Sequence, residues 1–134
     1  MRRFFCYILL IVVSLTGYAQ KQTQMSFSRV SMDEGLSQVS VNSILQDSTG
    51  FLWFATLDGL NRYDGYTFKV FKPSASDTNS ISTNRILCLY LDSHGKIWVG
   101  TLGGGLNVYN PITETFTRYM YDPKNPNSLS NNDV

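Results

Sequence analysis

The chain of 134 residues writes one phrase twice. "DSTGFLWFATLDGLNRYDG" begins at Asp47, and "DSHGKIWVGTLGGGLNVYN" begins at Asp92. Asp47 to Asp92, Gly50 to Gly95, Trp53 to Trp98 and Thr56 to Thr101 are each a step of 45 residues. A repeat of this length is one supersecondary unit that cannot bury its own core, so neighbouring units must stack, as in solenoids and propellers.

Turn signals divide each copy into four short strands. The runs 41–45 and 86–91 are rich in β-branched and apolar residues, and each ends in Asp-x-x-Gly (Asp47 to Gly50, Asp92 to Gly95). Asp bonds the backbone two residues on, and Gly supplies the positive φ that closes a tight hairpin. Second strands follow at 51–56 and 96–101, holding Trp53 and Thr56, or Trp98 and Thr101. A second turn at Gly59 or at Gly103 to Gly105 leads to Leu60 and Tyr63, or to Leu106 and Tyr109. Fourth strands are expected at 68–71 and 116–119. Four antiparallel strands joined by turns of a few residues make one propeller blade, and no helical period persists for more than a few positions. The expected fold is therefore all-β: about two complete blades of an incomplete propeller, preceded by a signal peptide. Trp53 and Trp98 read as blade-packing anchors, and the glycine run as a turn, since it has no phosphate-loop spacing.

The start of the chain has the form of a secretory leader. Arg2 and Arg3 precede an apolar run of twelve residues, 4–15, and the small residues of "TGYA" stand before Gln20. Twelve apolar residues are short for a membrane span, so a signal peptide over 1–19 is expected, with a retained anchor as the alternative. Its removal takes the formal charge from +1 to −1 and leaves no basic stripe, which argues against nucleic acid or an anionic membrane surface as partner. Cys6 leaves with the leader, and Cys88, at the place of Ser43 in the first copy, reads as a small buried residue.

The segments then run as follows. Residues 20–34 hold a would-be ring-closing strand at 27–30, residues 35–79 are the first repeat and 80–127 the second. Residues 128–134 begin a third, because "SISTN" at Ser80 returns as "SLSNN" at Ser128. The chain reads as an N-terminal fragment of a longer protein. Alone, its two blades would supply a single inter-blade interface, so it is expected to be marginally stable and to associate through free sheet edges.

The doubled Asp-x-x-Gly-x-[Leu/Ile]-Trp-x-x-Thr, followed by Gly-Leu-Asn-x-Tyr, resembles the two-component regulator propeller repeat. The resemblance extends from Phe27 to the end, and the head of this stretch resembles the start of periplasmic sensors of hybrid two-component systems in gut Bacteroidetes. One departure is Phe54-Ala55, where the repeat usually has [Ile/Val]-Gly. The resemblance implies a periplasmic sensor that is anchored in the inner membrane, dimeric and responsive to an oligosaccharide. It also implies a histidine kinase core that this chain does not contain.

No residue pattern supports catalysis in the chain itself. Its only histidine, His94, falls in a hairpin turn, and no His, Cys or carboxylate cluster has metal spacing. No cofactor is expected, and the ligand-contacting residues are not legible. The competing readings are an exported propeller enzyme of lyase or quinoprotein type, a carbohydrate-binding propeller, and an interaction scaffold of Kelch or WD type.

Overall fold

The structure, a computed structural model, describes residues 25–134; the leader expected over 1–19 lies outside them. Eight strands form two four-stranded antiparallel sheets in simple meander order. The first contains β1 (Val41–Gln46), β2 (Leu52–Thr56), β3 (Gly59–Tyr63) and β4 (Phe68–Phe71). The second contains β5 (Ile86–Leu91), β6 (Ile97–Thr101), β7 (Leu106–Asn110) and β8 (Thr115–Tyr119). A single 3-10 turn, Met32–Glu34, precedes the first sheet, with Ser31 and Glu34 forming a reciprocal capping box at its start.

The repeat extends to the irregularities. Both first hairpins slip register at the same place, between Val41 and Ser43 and between Ile86 and Cys88. Trp53 lies between Leu45 and Arg62, while Trp98 lies between Tyr90 and Val108 in the matching register. The Ala55 departure has a local physical reason. Ala55 pairs with Ser43, and its counterpart Gly100 pairs with Cys88. A Cβ on Gly100 would run into Cys88 Sγ, so the larger residue of each pair is matched by a smaller partner across the ladder.

Successive strand residues point to opposite faces, and that alternation sets how the sheets stack. Trp53, Ala55 and Leu60 on one face of the first sheet meet Ile86, Ile97, Val99, Tyr109 and Phe116 of the second, with Ile81 from the connection closing the core. The Trp53 ring lies 4.9 Å from Tyr109 and stacks on Phe71 at 5.7 Å. Polar ties hold the stack at its margins: the Gly59 N–H donates to Asn84 O at 2.7 Å, the Phe116 N–H to Asn79 O at 2.8 Å, and Asn42 Nδ2 to Ile86 O at 2.8 Å. The two sheets thus pack face to back, as adjacent blades do.

The segment at 27–30 pairs with neither sheet, as a ring-closing strand without its own blade should, and the expected burial of Cys88 fails. Phe27 is 89% exposed. Cys88 is exposed rather than buried. It shares a face with Gly100, Leu106 and Tyr119, the face turned away from the first sheet, whereas Ser43 is half-buried on the face the second sheet covers.

Candidate functional site

The recurring residues act as two local devices, each present twice. The first is the Asp-x-x-Gly turn. Asp47 Oδ1 accepts the Thr49 and Phe51 N–H groups at 2.9 and 3.1 Å, and Oδ2 accepts Trp53 Nε1 at 2.8 Å. In the second copy Asp92 Oδ1 accepts the His94 and Lys96 N–H groups, both at 2.9 Å, and Oδ2 accepts Trp98 Nε1 at 2.9 Å. Gly50 and Gly95 close these turns with φ of 95° and 78°, a conformation open to glycine and costly to other residues. One carboxylate therefore shapes the hairpin and orients the indole six residues on.

The protonation of these carboxyls follows from their partners. Burial pushes the Asp47 carboxyl up, but bonds from the Thr49 hydroxyl, the Trp53 indole and two backbone N–H groups outweigh it and hold the group below its ordinary value. The bond from Trp98, with those from the Lys96 and His94 backbone, lowers Asp92. Such carboxyls stay ionised longer in the folded chain than in the unfolded one. Their stabilisation is complete above the unfolded value of 3.8 and is lost as pH falls through the lower folded values. The denaturation midpoint should therefore drop on acidification from about pH 5 to about pH 3. A double variant, Asp47→Asn with Asp92→Asn, should be less stable at neutral pH and show a flatter profile; an equally steep one would assign the acid sensitivity elsewhere.

The second device is a buried polar clasp. Asn61 is fully buried; its Oδ1 accepts the Ser37 N–H at 2.9 Å and its Nδ2 donates to Ser37 Oγ at 2.9 Å. Thr56 Oγ1 lies 2.9 Å from Ser37 Oγ and donates to Gly59 O at 2.9 Å. Asn107 repeats this with Ser82, at 3.0 Å for the N–H and 2.8 Å for the hydroxyl, and Thr101 donates to Gly105 O at 2.6 Å. Each clasp ties the segment entering a sheet to the middle of that sheet. Ser37, Asn61, Ser82 and Asn107 are missing from the sequence-derived set, although a polar residue recurring between apolar neighbours in a strand was a usable signal. Asn61→Leu keeps the branching of the side chain but leaves the Ser37 N–H without its acceptor. The expected cost is about 1–3 kcal/mol, read from the denaturation midpoint; an unchanged midpoint would show that the clasp carries no net stability.

The remaining motif residues fall as follows. Leu60 and Tyr109 are fully buried, Leu106 and Tyr63 are half-buried, and the Tyr63 hydroxyl donates to Gly65 O at 2.7 Å. Trp53 is 1% exposed, whereas Trp98 is only half-buried, stacked on Tyr119 at 6.3 Å. Across the seam Glu114 of the second sheet meets Arg62 at 2.9 Å and Lys69 at 2.6 Å in the first. Lys69 and Arg62 lower the Glu114 carboxyl, while burial, reinforced by Glu114, raises the Tyr109 hydroxyl. Among the described residues no group of three or more His, Cys, Asp or Glu side chains could hold a metal ion, and no helix is long and apolar enough to cross a membrane.

The two matched turns and clasps coincide with a described family. The model for the two component regulator propeller matches residues 35–58 and 80–103. The chain thus carries two copies of the two component regulator propeller repeat. This propeller chain is 44% identical to an extracellular domain from B. thetaiotaomicron assigned to the hybrid two component system BT3049, with a TM-score of 0.75 over 80% of this chain and 15% of that one. A second B. thetaiotaomicron extracellular domain, assigned to the one component system BT4673, matches at 29% identity and a TM-score of 0.51 over 63% of this chain and 12% of its own. Histidine kinase P4 of Formosa agariphila is 42% identical over 72 residues, which is 54% of this propeller chain and 5% of the kinase. The chain thus spans a small part of the length of each relative.

Proposed function

We propose that this chain is part of the ligand-sensing propeller of a hybrid two-component histidine kinase, placed in the periplasm behind a cleaved leader and signalling through a membrane-anchored dimer. The observation that carries this reading is the likeness to the BT3049 extracellular domain, which holds over 80% of the chain at 44% identity. The inventory of the two copies supports a binding rather than a catalytic task. Their shared residues close turns, orient indoles and clasp sheets, and none pairs a nucleophile with a base. The ligand class proposed is an oligosaccharide, and the output is transcriptional regulation. A ligand acts on such a sensor only through different affinities for its two signalling states, so blades that keep their stacking can pass a binding event on as a rigid shift.

The test is genetic. Deleting residues 25–134 in frame from the native gene should abolish transcriptional induction by oligosaccharide mixtures that induce the wild type; induction that survives the deletion would refute the sensor role. Export is checked separately. Residues 1–24 fused to a reporter active only outside the cytoplasm should give activity, with a mature start near Gln20; an inactive fusion would contradict export.

A further inference from the structure

The repeat itself makes the residues that depart from it informative. Arg62 stands in the register where the second copy has Val108, and Lys69 where it has Thr117. The turns after β3 and β7 both hold four residues, but the β7–β8 ladder runs one pair further, to Asn110 and Thr115, before the turn that carries Glu114. Glu114 is the one non-glycine residue with positive φ among those described, at 55°, in the left-handed region that side chains with a Cβ disfavour. All three departures lie at the seam between the sheets.

Beside them the seam opens into a cleft of about 310 Å³, lined by Phe51, Trp53, Arg62, His94, Tyr109 and Ile112 among others. The Arg62 guanidinium lies 4.7 Å from the Phe51 ring centre and 5.8 Å from that of Trp53. Its Nη1 donates to Glu114 Oε1 at 2.9 Å and to the Tyr109 hydroxyl at 3.4 Å. Among the described residues Nη2 and Nε meet no acceptor, and Asp47, also in the lining, has both oxygens engaged by its own turn. Ile112 is 91% exposed in the turn after β7. The cleft therefore offers one planar cationic fork with free donors, an aromatic floor and an exposed apolar side chain at its rim.

We propose that this seam binds a carboxylate carried on a six-membered ring, the carboxylate on the free donors of Arg62 and the ring between Phe51 and Ile112. A guanidinium fork matches a carboxylate in two parallel hydrogen bonds. The volume lies at the lower end of the range for small-molecule sites, which suits one ring better than a chain of them. The proposal does not rest on the sensor reading, since both sheets of the seam belong to this chain whatever it serves. A sugar acid and an aryl acid present the same chemistry, and the experiment separates them.

The full chain is titrated with glucuronate and with benzoate, each against its neutral counterpart, glucose or benzyl alcohol. Indole fluorescence and sheet circular dichroism are followed. At least one of the two acids should bind with a Kd of about 1 mM while its neutral counterpart does not, and the preferred acid identifies the ring. Arg62→Gln should weaken binding about tenfold or more. Glu114→Gln should tighten it about threefold by releasing Nη1, an effect a purely structural Arg62 would not produce. Binding to the folded state also raises its population, so a weakly folded chain would report the ligand as a gain of sheet signal. Absence of any response to both acids, or equal binding by Arg62→Gln, would overturn the proposal.

Discussion

Trp53→Ala should abolish the cooperative sheet transition of this chain, whereas Trp98→Ala should leave it shifted but present. Trp53 is 1% exposed and lies at the centre of the inter-sheet core, against Phe71 on its own sheet and Tyr109 on the other. Removing a buried indole of this kind costs about 3–5 kcal/mol through lost burial and the cavity left behind. It also strips Asp47 Oδ2 of its donor. Trp98 has the same register and the same bond from its indole to Asp92, but it is half-buried and stacks on Tyr119 alone. Its loss should cost about 1–2 kcal/mol, in keeping with partial burial. Equilibrium unfolding followed by circular dichroism distinguishes the two, and equal losses would contradict the face-to-back packing.

The second large effect is expected at Gly105. Its φ is 69°, and a Cβ built there overlaps the Tyr119 carbonyl oxygen on the neighbouring strand. Because the obstacle is backbone, no rotamer change can relieve it. Gly105→Ala should therefore cost about 2–5 kcal/mol, combining the left-handed penalty with steric overlap. Gly103, two residues earlier, also has positive φ, at 82°, but nothing lies within 4 Å of its Cβ position. Gly103→Ala should carry the conformational penalty alone, about 1–2 kcal/mol. If both variants unfold at the same denaturant concentration, the close approach of β7 to β8 at this point is not as described.

The contrast within the glycine run shows what can be read from residues alone. The run announces a turn, and the turn is there, but only spatial neighbours separate the glycine that cannot change from the one that can. The strands themselves were legible because their boundaries are written in local chemistry: Asp-x-x-Gly and Gly-rich turns bracket short alternating runs, and the second copy confirms the first. β2 and β6 begin one residue later than the turn signals suggest, and β8 starts one residue earlier, at Thr115, within the fraying expected at strand ends.

What was not legible depends on which face a residue presents to a neighbouring sheet. Cys88 was read as buried from its mid-strand position, yet its face is the one the first sheet does not cover. Residues 27–30 have the composition of an outer strand and were expected to lie apart from both blades, as they do, since the blade they would complete is not among the described residues. Asn61 and Asn107 were legible as members of the Gly-Leu-Asn-x-Tyr motif, but their role was not, because their partners, Ser37 and Ser82, lie 24 and 25 residues away. The Arg62–Glu114 tie joins residues 52 apart in sequence, and only the stacking of the two sheets brings them together.

That stacking is the central claim, and one measurement tests it most directly. Nuclear Overhauser spectroscopy on the chain should show cross-peaks from the Trp53 indole to the rings of both Phe71 and Tyr109, whose centres lie 5.7 and 4.9 Å away. Cross-peaks from Trp53 to Phe71 without any to Tyr109 would mean that each repeat folds as a separate sheet, and that the propeller arrangement described for this chain is wrong.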